Sequence, residues 1–148
     1  MIEAFRKHEL VISSAHHSLN AFEVLAIVSP SLRINGFMSA YTAGAKSKKS
    51  IELSADDPQR SAVCRFDAFN AGTQTALVVH AGRGLTNNDY LKSLLHASLS
   101  SEVRHLVIAV RIMYRTSEDF VRIDAFLRVL MTSSNTTLDL DSVTLIGY

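Results

Sequence analysis

Residues Ser61–Ala81 read Ser-Ala-Val-Cys-Arg-Phe-Asp-Ala-Phe-Asn-Ala-Gly-Thr-Gln-Thr-Ala-Leu-Val-Val-His-Ala. The first part alternates. Ala62, Cys64, Phe66 and Ala68 fall on one side, and Val63, Arg65, Asp67 and Phe69 on the other. A period of two is the signature of a β-strand, here Ser61–Phe69, with Arg65 and Asp67 sharing a face. Asn70-Ala71-Gly72 tolerates positive φ and predicts a tight turn. Gln74–Ala81 is almost continuously apolar, as in a central strand covered on both faces. The stretch therefore predicts an antiparallel hairpin at the middle of a sheet.

Upstream, Leu19, Phe22, Leu25, Ala26 and Val28 recur near helical spacing and predict an amphipathic helix over Ser18–Val28. Ser29-Pro30 then suits a cap and a first helical position, so a second helix is expected as far as Thr42. Ala43–Lys49 reads as a basic loop, Ile51-Glu52-Leu53 as a short strand, and Asp56-Asp57-Pro58 as a turn. Downstream, Thr86-Asn87-Asn88-Asp89 resembles a capping box ahead of a helix striped by Tyr90, Leu91, Leu94, Leu95 and Leu99. His105–Met113 predicts a buried strand and Ser117–Met131 a helix. Ser133–Asp141 is a polar loop, and Val143–Ile146 a last strand. The order is α-β-β-β-α-β-α-β. Tight turns make the early strands antiparallel, and helical crossovers make the later ones parallel. The expectation is an α/β fold with a mixed central sheet flanked by helices, one domain over residues 1–148.

The composition agrees with a globular chain: 47% of the 148 residues are hydrophobic and 20% charged. A formal charge of +1 neither demands nor excludes nucleic acid. The single cysteine, Cys64, rules out an intramolecular disulfide and a cysteine-based zinc site. The charged start Met1–His8 is no secretory signal, and the longest apolar runs, Ala76–Val79 and Leu106–Val110, are strand-sized. A cytoplasmic protein without a membrane partner is the expectation.

Helix, three meandering strands, helix, strand resembles the core of the PD-(D/E)xK, restriction-endonuclease-like superfamily. The resemblance covers Leu19–Val110 and implies a nuclease site on the hairpin. Asp67 falls where that family keeps an Asp on its second core strand. His80 falls at the lysine position of the third strand, and Glu23 stands for a helix-borne acid. The resemblance makes Asp67, His80 and Glu23 the catalytic candidates, with Asp67 and Glu23 as ligands for a catalytic Mg²⁺. Val78 occupies the position of the second acid, and a valine neither binds a hard cation nor accepts a proton. The resemblance thus implies a nuclease scaffold without cleavage.

Each candidate also has an ordinary structural reading. Asp67 can pair with Arg65 or cap the turn. Glu23 can be a solvated helix glutamate, and His80 a hydrogen-bonded core histidine. His16 and His17 are adjacent and do not share a helix face with one metal. Lys46, Lys48, Lys49, Arg60, Arg65 and Arg83 are the candidate phosphate contacts; a solubilising loop is the ordinary reading of such residues. Gly82-Arg83-Gly84 reads as a turn, and Walker A, HExxH and Gly-x-Ser-x-Gly motifs are absent. Three functions follow: a silent nuclease fold that binds double-stranded DNA or a DNA-processing partner, an interaction module acting as a homodimer through its last strand, and a metal-dependent endonuclease with an unusual site.

Overall fold

The computed structural model describes residues 1–41, 51–54, 63–82, 85, 87–134 and 137–148. Helices α1 (Ile2–Arg6) and α2 (Glu9–Ile12) precede α3 (Ala21–Ile34). Strands β1 (Met38–Ser39), β2 (Ile51–Ser54), β3 (Val63–Phe66), β4 (Ala68–Asn70) and β5 (Thr75–His80) follow. α4 (Asp89–Ser98), β6 (His105–Val110), α5 (Asp119–Thr132) and β7 (Ser142–Gly147) complete the chain. Five strands form one sheet in the order β1-β4-β5-β6-β7, and β2 pairs with β3 in a separate antiparallel ribbon. β1, β4 and β5 are antiparallel, whereas β5, β6 and β7 are parallel. The molecule is thus an α/β fold with a mixed sheet between helices, as the element order predicts.

Strand alternation divides the core into two layers. Leu77, Val79, Val107, Ala109 and Ile146 pack with α1 and α3 on one face. Ala76, Val78, Leu106, Ile108 and Val110 pack with α4 and α5 on the other. The nearly continuous apolar runs of β5 and β6 are what a strand buried on both faces requires.

The sequence reading breaks the first helix at Ser29-Pro30 and continues a second to Thr42. The structure corrects this. α3 runs through Pro30 to Ile34. Val24, Leu25, Val28 and Leu32 form one buried stripe across the proline. Burying Val28 and Leu32, at about 1.5–3 kcal/mol each, offsets the roughly 3 kcal/mol that an interior proline costs. Ser29 caps nothing; its buried hydroxyl lies 2.6 Å from that of Ser39 on β1. The stop comes at Gly36, whose φ of +81° favours glycine. The Gly36 and Phe37 N–H groups return to the carbonyls of Arg33 and Leu32 in a Schellman closure. Met38 and Ser39 then enter the sheet rather than a helix.

Three further readings change. The Ser61–Phe69 strand is interrupted at Asp67: β3 belongs to the ribbon with β2, and β4 to the main sheet. In the turn after it, positive φ falls on Gln74 (+50°) rather than on Asn70-Ala71-Gly72. The turn is held by Asn70 Oδ1, which accepts from the Thr73 N–H. α4 begins at Asp89 with Asn88 as its N-cap and no side-chain cap bond from it; Thr86, on which the expected capping box rests, lies outside the described residues.

Candidate functional site

Open α/β sheets place ligands beyond the carboxyl ends of their parallel strands. Here that edge is formed by His80 on β5, Arg111 just after β6 and Tyr148 just after β7. A depression of about 310 Å³ lies there, lined by Ala21, Val79, His80, Gly82, Asp89 and Tyr114. Gly82 has φ +133°, and a Cβ on it would stand 3.0 Å from the Tyr114 ring. Glycine is what lets the chain leave β5 beneath that ring.

Asp67 lies in the bend between β3 and β4 and is only 3% exposed. Its backbone N–H donates to the Leu77 carbonyl at 2.8 Å, and its own carbonyl accepts from Ala40 at 2.7 Å. Its Oδ2 accepts the Val79 N–H at 2.7 Å. The side chain thus satisfies a β5 amide at the break in the ladder, a charge-assisted bond inside the protein. Arg65 stays exposed on β3 while Asp67 is buried, so the expected common face is lost.

Glu23 has a different assignment. Asn20 Oδ1 accepts from the Glu23 N–H at 3.1 Å, and Glu23 Oε2 accepts from the Asn20 N–H at 2.6 Å. This reciprocal pair is a capping box that opens α3. Neither Glu23 nor Asp67 lines the depression.

His80 does line it. Its Nε2 lies 3.1 Å from the Ser93 hydroxyl, which itself donates to the Asp89 carbonyl at 3.1 Å.

A neighbouring polar cluster was not anticipated from the sequence. The Arg111 guanidinium donates to the Leu19 carbonyl and lies 5.4 Å from the Tyr114 ring centre. It also lies close enough to the Tyr148 phenol to act on it electrostatically, and that phenol donates to the His80 carbonyl at 3.3 Å. Burial pushes the Tyr148 phenol well above its ordinary range; Arg111 pulls it down and the Asp67 charge pushes it up. The expected strand His105–Met113 places Arg111 inside the strand, but β6 ends at Val110. An arginine directly after the apolar run Leu106–Val110 is the signal that marks this edge.

Mg²⁺ takes carboxylate oxygen and water in octahedral geometry. Asp67 gives one of its oxygens to a backbone amide, Val78 offers no oxygen ligand on its side chain, and Glu23 closes a helix cap. Among the described residues, no group of three or more His, Cys, Asp or Glu side chains is placed to hold a metal. This donor set does not fit the ion, and no step is derived through it. Lys46, Lys48, Lys49, Arg60 and Arg83 lie outside the described residues. Among those described, no helix is long and apolar enough to cross a membrane. Comparison with protein-family models, with curated proteins and with solved structures finds no match to this chain.

Proposed function

We propose that this protein is a catalytically silent member of the restriction-endonuclease-like group that binds double-stranded DNA. The observation that carries the silent half is the Asp67 carboxylate, held in the interior by the Val79 N–H. The capping role of Glu23 supports it. The sheet order, with an antiparallel meander leading into parallel strands, supports the scaffold.

The DNA half rests on the β2–β3 ribbon. An antiparallel two-stranded ribbon has the width of the DNA major groove. β3 carries exposed Arg65. In sequence, Lys46, Lys48 and Lys49 precede β2, and Arg60 precedes β3. Each phosphate such residues neutralise adds a salt-dependent increment to binding.

Fluorescence anisotropy with a labelled duplex, titrated at several salt concentrations, tests the reading. Binding is expected to weaken linearly in log–log form, and Arg65→Ala should lower the slope by about one. No duplex binding at about 50 mM salt, or binding without a salt slope, overturns the DNA half. Supercoiled plasmid with Mg²⁺ or Mn²⁺ should remain uncut. Cleavage abolished by Asp67→Asn overturns the silent half and restores the metal-dependent endonuclease.

A further inference from the structure

The two edges of the main sheet are unlike. β1 is two residues long. β7 has six residues, as many as the central strands β5 and β6. Its sequence, Ser-Val-Thr-Leu-Ile-Gly, contains no charge and no proline. Long, uncharged edges invite pairing, and proteins protect them by shortness, charge, proline or a covering element. β1 has the first protection. β7 has none of them among the described residues.

The open hydrogen-bonding groups can be named. The Tyr148 N–H donates to Val110, and the Tyr148 carbonyl accepts from Ile112. Alternation along a parallel ladder then turns Ser142, Thr144 and Ile146 toward β6, and Val143, Leu145 and Gly147 outward. These three take no backbone partner among the described residues. A groove of about 520 Å³ runs beside them, between β7 and α5, lined by Asp124, Leu127, Arg128, Met131, Val143 and Leu145. The far flank of α5 is occupied, since Phe126 meets Tyr90 of α4 edge-on. The flank facing the groove leaves Val121 (54%) and Met131 (46%) exposed.

We infer that the occupant of this edge is a second copy of the chain, joined β7 to β7 about a two-fold axis into one continuous ten-stranded sheet. A two-fold axis normal to a sheet makes identical edge strands antiparallel and the contact self-complementary. Centred on Leu145, it sets Leu145 against its own copy and Val143 against Gly147 of the second copy. All three outward residues pair, giving about six hydrogen bonds. Charge also favours a copy. Asp124 and Arg128 form a 2.7 Å ion pair on the same flank of α5. A flank with both signs presents opposite charges to its copy, whereas a flank of one sign repels it. This inference does not depend on DNA binding.

Sedimentation velocity of the full chain without DNA, from about 1 to about 200 µM, tests it. A concentration-dependent dimer is expected. Leu145→Pro removes an outward N–H while leaving the β6 ladder intact, as proline is tolerated on edge strands. It should weaken the dimer by about 10-fold or more. Where circular dichroism shows that this variant fails to fold, surface charge replaces it. Arg128→Glu leaves both flanks acidic and should weaken the dimer, and adding Asp124→Lys should restore it. A monomer across the whole range overturns the inference, as does a dimer indifferent to these substitutions. A monomer that captures extended peptides at β7 also overturns it.

Discussion

Replacing Asp67 by alanine should destabilise the fold strongly, and replacing it by asparagine should not. The residue is 3% exposed, and its Oδ2 accepts the Val79 N–H at 2.7 Å. Val79 is equally buried, at 3%. Alanine leaves that N–H without a partner, and a buried orphan donor costs about 1–3 kcal/mol. Removing a buried charge returns part of its desolvation cost, which holds the net to about 2 kcal/mol. Asparagine presents an amide oxygen of nearly the same shape to Val79 and should lose under about 1 kcal/mol. For a chain of this length, 2 kcal/mol lowers Tm by about 4–8 °C. Urea unfolding followed by circular dichroism gives both values, with an unchanged m-value as the control. Equal losses in the two variants, or a loss under about 0.5 kcal/mol in Asp67→Ala, would refute the backbone-acceptor role.

Further substitutions probe the other assignments. Asn20→Ala removes the acceptor that opens α3 and should cost about 1 kcal/mol by urea unfolding, with Glu23→Ala costing somewhat less. Gly82→Ala forces a side chain onto φ +133° and toward the Tyr114 ring. It should cost about 1–3 kcal/mol in the same assay, and no loss would show that the β5 exit relaxes. Tyr148 has a pH signature. Its folded-state pKa is raised, so the unfolded chain releases the phenolic proton first, near pH 10. Its contribution is therefore complete below about pH 10 and is lost as pH rises beyond that. Tyr148→Phe should flatten this alkaline decline relative to the unaltered chain and cost about 1 kcal/mol at neutral pH.

The legible part of the fold came from periodicity. The apolar runs of β5 and β6, the stripe of α3 and the short β4–β5 turn each follow from contacts between near neighbours in sequence. The same local rules misplaced the end of the first helix. Ser29-Pro30 is a strong restart signal by itself, but the burial of Val28 and Leu32 against the sheet outweighs it. They also missed β1, because two residues carry no period. The candidate residues were found by type, while their chemistry was decided by partners far away in sequence. Asp67 meets Val79 across twelve positions, His80 meets Ser93 across thirteen, and Tyr148 reaches His80 across sixty-eight.

The sequence by itself determined the fold class, the mixed strand directions and the hydrophobic strands that fill the core. These depend on side-chain period and on loop length, which are local properties. Only the tertiary structure decided that Asp67 serves a backbone amide, that Glu23 closes a helix cap, and that Arg111 and Tyr148 meet beside His80 at the sheet edge. A carboxylate is chemically the same whether it faces water, a metal or an amide. What distinguishes those roles is the partner that packing brings within about 3 Å, and the strand order of the folded sheet supplies it.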